Sequence, residues 1–109
     1  MKSRTLSTKA KVDAMIVSMI QFRIELPPLE SIKEKRRIVS SLKEKLSNKF
    51  PLSVAEVDLQ DSMRYAQIGA ALVTNSKTFG ESLMHKVLAF VENNCEGVLQ
   101  DAEIFSETF

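Results

Sequence analysis

Tyr65-Ala66-Gln67-Ile68-Gly69-Ala70-Ala71-Leu72-Val73-Thr74 is the stretch that decides the fold. Ala66, Ile68, Ala70 and Leu72 share one parity, and Gly69, Ala71 and Val73 the other. A segment of strand length that is apolar on both faces reads as a central strand, flanked on each side by another. The neighbours are found by working outward. Upstream, Asp61-Ser62 supplies a turn, and Ser53 to Gln60 alternates Ala55, Val57 and Leu59 against Val54, Glu56 and Asp58, a second strand of the same hairpin. Downstream, Asn75 or Ser76 caps a helix whose apolar stripe is Phe79, Leu83, Val87, Phe90 and Val91. Gly97 ends the turn after that helix, and Val98 to Phe105, with Asp101 and Glu103 interleaved, has the charge pattern of an edge strand.

The first half of the chain repeats the logic. Ile16, Ile20, Phe22, Ile24 and Leu26 lie on one parity of a strand over residues 15–26, with Ser18 the one polar exception, and Pro27-Pro28 stops it. Ser31 and Glu34 have the spacing of a capping box, opening a helix from Ile32 to about Asn48. Its buried side is Ile38, Val39, Leu42 and Leu46, continued by Phe50. Lys35 projects toward that side too, its stem over apolar surface and its ammonium expected to stay wet. The order β-α-β-β-α-β predicts an α+β ferredoxin-like sandwich, a four-stranded antiparallel sheet with two helices on one face. The first and third strands, the most apolar, take its centre.

The chain has 109 residues, 44% hydrophobic and 27% charged, which fits one soluble domain over residues 15–109. Residues 1–14, with Lys2, Arg4, Lys9 and Lys11, read as a disordered basic tail. No membrane span or secretory signal is read, and a single cysteine, Cys95, fits the reducing cytoplasm. Residues 1–49 hold 12 Lys/Arg and 5 Asp/Glu, residues 50–109 hold 3 and 9, so a net charge of +1 conceals two oppositely charged halves. The bland explanation is mutual neutralisation, within the fold or between subunits.

Catalytic chemistry finds little support. His85 stands alone on the exposed side of its helix, and Cys95 has no C-x-x-C or Cys–His spacing. Glu56, Asp58 and Asp61 fall short of a hard-cation ligand set, and turn hydrogen bonds with a pair to Arg64 account for them. The loop Leu26-Pro27-Pro28-Leu29 after the first strand has no glycine and two residues without amides, so it does not cradle phosphate. The expectation is a non-enzyme with no cofactor and no metal.

Two surfaces remain. Lys33, Arg36 and Lys43, with Ser40 and Ser47 between, form a flank of the first helix that could follow phosphates, with Arg37 farther round and Lys35 adjoining. The competing explanation is a solvated face with pairs such as Glu34–Arg37 and Glu30–Lys33. On the sheet face away from the helices, Val17, Met19, Val54, Ala71 and Val73 are expected to meet a partner or a second copy, since monomers rarely expose a large apolar patch. That face lacks the aromatic platform of single-strand RNA binders.

Met15-Ile16-Val17, Ser31-Ile32-Lys33-Glu34-Lys35-Arg36, Val54-Ala55-Glu56-Val57-Asp58, Gln60-Asp61 and Ala66-Gln67-Ile68-Gly69 together resemble the YlxP-like family of small bacterial proteins, over about Met15 to Ile104. The resemblance implies the same ferredoxin-like fold and a bacterial cytoplasmic protein. Through gene neighbours of that family, among them ribosome-binding factor A, it also implies an association with ribosome maturation. The chain departs from the family in the hairpin: where the family often has D-H-Q-D-L-W-Q-R-A, it has Asp58-Leu59-Gln60-Asp61-Ser62-Met63-Arg64-Tyr65-Ala66, without the His and the Trp. The leading expectation is a module contacting ribosomal RNA or a ribosomal subunit through Lys33, Lys35, Arg36, Arg37 and Lys43. The alternative is a homodimeric regulatory or adaptor domain that binds a protein or small ligand through its open sheet face.

Overall fold

A computed structural model describes residues 15–109; the basic segment 1–14 lies outside the described residues. The elements are β1 (Ile16–Glu25), α1 (Ile32–Lys49), β2 (Ser53–Asp58), β3 (Tyr65–Thr74), α2 (Lys77–Asn94) and β4 (Val98–Thr108). The sheet runs β2-β3-β1-β4 with every neighbouring pair antiparallel, which is the ferredoxin-like arrangement. β3 is central, as its two apolar faces require, and β2 and β4 are the edges.

Both helices cover one face. Phe22, Leu46, Ile68, Met84, Val87 and Val91 are fully buried between helices and sheet, and each such side chain contributes roughly 1.5–3 kcal/mol relative to exposure. Phe50 and Phe90 meet edge to face at 5.7 Å where α1 ends against α2. The polar exception on β1 has a specific reason. Ser18 Oγ is 2.8 Å from Ser106 Oγ, and Gly80 of α2 sits directly on it, so that a Cβ at Gly80 would lie 1.9 Å from the Ser18 oxygen. That close approach sets the rotation of α2. Gly80, Met84, Val87 and Val91 face the sheet, whereas Phe79, expected in the stripe, is 54% exposed.

Boundaries shift in three places. β2 stops at Asp58, because the register against β3 slips between Glu56 and Asp58 and Leu59 has φ 61°, a left-handed conformation that ends the strand. β4 runs past Phe105 to Thr108, paired along β1 as far as Ile16. At α1 the Ser31 Oγ accepts the Glu34 amide at 3.2 Å as the capping box predicts, but the Glu34 carboxylate takes the Glu30 amide rather than that of Ser31. Ser76, not Asn75, caps α2, accepting from the Phe79 amide at 3.1 Å.

Candidate anion-binding interface along helix α1

Lys35 explains the packing of α1. Its side chain is only 1% exposed, and its ammonium donates to the carbonyl oxygens of Leu59 at 2.5 Å and Ser62 at 2.6 Å, with Gln60 O at 3.4 Å. The Glu56 carboxylate completes the cage, Oε2 standing 3.1 Å from Nζ. That oxygen is buried and has no well-aligned hydrogen bond, so its contact with Lys35 is ionic. An ammonium has three protons, and all are committed here. The expectation of a wet ammonium is corrected: burial under the β2–β3 hairpin removes Lys35 from any surface that nucleic acid could reach. The physical reason is the carbonyl cluster that the left-handed Leu59 turns toward α1.

Arg37 is exposed but engaged. It forms a two-pronged pair with Glu96, beyond the end of α2, at 3.3 and 3.4 Å. The expected Glu34–Arg37 and Glu30–Lys33 pairs are absent among the described residues; the Glu34 carboxylate instead accepts the Glu30 amide at the helix start. Arg64 likewise pairs with Glu25 rather than with the hairpin acids. What remains is a flank of Lys33 and Arg36, exposed, and Lys43, half-buried, none of which has an ion-pair partner among the described residues.

The flank has a definite place in the fold. α1 packs over β2, and α2 covers β1 and β4. Arg37 turns toward the end of α2, and at about 100° per residue Arg36, Lys43 and Ser47 fall on the other side of the helix, with Lys33 nearer its crest beside Arg37. Ser47, on the same row as Lys43, borders a groove with Ser53 of β2 and Ala71 of β3. β2 itself presents a bare edge. Its inner side is paired with β3, and among the described residues the one further bond to its backbone is Gln60 Nε2 donating to Glu56 O at 3.4 Å.

The open sheet face divides into two regions. Val17, Met19, Ala71 and Val73 lie on it as expected, joined by Ala55, Val57 and Phe105, and the apolar region holds a shallow depression of about 350 Å³ floored by Gly69. A Cβ at Gly69 would come within 2.9 Å of Val57, so glycine is what leaves the depression open. Val54 is corrected: its side chain packs into the core, because the parity of β2 turns Val54 and Glu56 toward the helices. Phe105 and Val57 escaped the sequence reading because their face depends on strand register, which the pairs Met19 with Phe105 and Ala55 with Gly69 fix. The rest of the face is polar, with Gln21, Gln67 and Arg23 hydrogen-bonded in series and Arg23 and Arg64 against the Tyr65 ring.

Elsewhere, the Cys95 thiol donates to Gly97 O at 3.3 Å, and burial raises its pKa above the ordinary thiol value. Among the described residues no cluster of His, Cys, Asp and Glu is arranged to hold a metal ion, and no helix is long and apolar enough to cross a membrane.

These features define a small ferredoxin-like βαββαβ domain with a basic helix flank beside an unpaired edge strand. Residues 17–104 match the family described as "Protein of unknown function (DUF503)", and the chain belongs to that family. It is 33% identical over 63 residues to "Uncharacterized protein YlxP" of Bacillus subtilis (strain 168), an alignment covering 58% of this chain and 68% of that one. Among solved structures it is similar to "De novo designed protein Ferredog-Diesel", with a TM-score of 0.41 and 12% identity over 94% of this chain and 98% of the other. The fold assignment rests on the strand order, not on that likeness.

Proposed function

We propose that this chain is a non-enzymatic binding module that takes an anionic partner along the outer flank of α1. The observation that carries the reading is the set Lys33, Arg36 and Lys43, three cations on one row without counter-ions among the described residues. Unpaired surface cations aligned along a helix attract anions in a sequence-independent, salt-sensitive way. The resemblance to the YlxP-like family makes a ribosomal subunit, with its RNA, the first particle to try. Replacing the three residues by Glu is expected to abolish co-sedimentation with ribosomal subunits and to remove the salt dependence. Unchanged binding across a salt series would refute the reading.

A second reading is a homodimer through the open sheet face. It is favoured by the contiguous apolar region of Met19, Ala71, Val57 and Phe105 around the depression. Light scattering tests it directly, with Met19→Glu expected to yield a monomer; a wild-type chain that is monomeric at high concentration removes it.

A further inference from the structure

We propose that the anion is carried by an extended acidic peptide segment, which adds as a fifth strand to the bare edge of β2 beneath the basic flank of α1. The inference rests on the flank reading above and names its partner class. Three observations meet at this edge. β2 is a terminal strand of the sheet, and its outer backbone groups have no backbone partner among the described residues. Exposed edges recruit strands, and natural proteins blunt them with charge or covering elements. β4, the other edge, has Asp101, Glu103 and Glu107 along its length, whereas β2 offers Ser53, Val54, Ala55 and Val57, with its Glu56 turned inward to Lys35. The Asp58 carboxylate, at the far end of β2, accepts the Leu59 amide.

The two faces of an added strand would meet different chemistry. Residues on its helix side would face Arg36 and Lys43, with the long side chain of Lys33 reaching down from higher on the same row. The run from Lys33 to Lys43 spans about 15 Å of helix, close to the roughly 20 Å length of a six-residue strand. Residues on its other side would extend the apolar region of Ala55, Val57 and Gly69. The geometry therefore selects alternation, carboxylates on one parity and small apolar side chains on the other. Main-chain hydrogen bonds supply the affinity of such strand addition and the alternate side chains its specificity. Nucleic acid has no peptide backbone to pair with β2, so it would use the cations and leave the edge bare.

The probe is a synthetic eight-residue peptide alternating Glu and Val. Its controls are the same peptide with Gln for Glu, the same peptide N-methylated at alternate residues, and a single-stranded oligouridylate. Binding is read by fluorescence anisotropy and by amide hydrogen exchange on the full chain. The Glu-Val peptide is expected to bind and to slow exchange within Ser53–Asp58. The Gln peptide, the N-methylated peptide and the K33E/R36E/K43E variant are each expected to weaken binding by about tenfold or more, as two or three partly shielded ion pairs or a broken ladder would. An unchanged melting temperature for that variant excludes misfolding as the cause. Equal binding of the N-methylated peptide, or binding without protection of β2, would overturn strand addition. Binding of oligouridylate alone would overturn the peptide assignment and leave the flank reading standing. Binding of neither would overturn both.

Discussion

Lys35 is the residue on which the hairpin depends. Its ammonium joins α1 to three backbone carbonyls and to Glu56. Removing the ammonium leaves the Glu56 carboxylate and the carbonyl cluster without their buried cation, so Lys35→Ala is expected to lower unfolding free energy in urea by about 3–5 kcal/mol. Lys33→Ala, at an exposed position two residues away, is expected to change it by less than about 0.5 kcal/mol. Gly80 gives a second test. An added methyl would collide with both the oxygen and the Cβ of Ser18, at 1.9 and 2.8 Å. Gly80→Ala is therefore expected to destabilise by about 1–3 kcal/mol, with only partial relief in a Ser18→Ala background, since the Cβ contact persists. Cys95 supplies a pH dependence. Burial favours its neutral thiol, so its folded pKa lies above the unfolded one. That contribution to stability is complete below the unfolded thiol pKa and declines as pH rises from there through the folded value, and the decline should vanish in Cys95→Ser. The contacts of Lys35, Gly80 and Ser18 could not be read from sequence. A lysine at the edge of an apolar stripe, a glycine inside a helix and a serine inside a strand each take their meaning from a neighbour far along the chain.

At the scale of the element, α1 shows how far periodicity reaches. The burial of Ile38, Val39, Leu42 and Leu46 followed from spacing at 3.6 residues, and so did the outer row of Lys33, Arg36, Ser40, Lys43 and Ser47. Periodicity assigns a direction to each side chain, not a partner, so from spacing alone Lys35 and Arg37 read like the free cations although one is buried and the other paired. The caps are more local and therefore more legible. Ser31→Ala and Ser76→Ala each remove a side-chain acceptor for a first-turn amide, and each is expected to lower stability by about 1 kcal/mol in thermal or urea unfolding. β2 illustrates the opposite case. Its existence was legible from alternation, but its face was not, because a one-residue change of register exchanges the buried and open sides. Val54, expected on the open face, therefore lies on the helix side.

At the scale of the molecule, strand order was legible because apolarity ranks strands by depth: β3 and β1 centre, β4 edge. The charge asymmetry has a mixed outcome. Lys35 with Glu56 and Arg37 with Glu96 join the basic first half to the acidic second half inside one chain, while the outer row of α1 keeps its excess. The hairpin clamp also bears on how such a domain can change. Lys35 grips Leu59, Gln60 and Ser62 through carbonyl oxygens, which every amino acid carries, so the grip itself reads no side chain. What the turn still asks for is the left-handed backbone at Leu59 and the Ser62 hydroxyl that accepts the Arg64 and Tyr65 amides. Within those two conditions, side chains in the turn can be exchanged while the turn stays moored. That freedom accommodates a hairpin without the His and Trp common among YlxP-like relatives, and it makes the loop a place where one scaffold could diversify without loosening its frame.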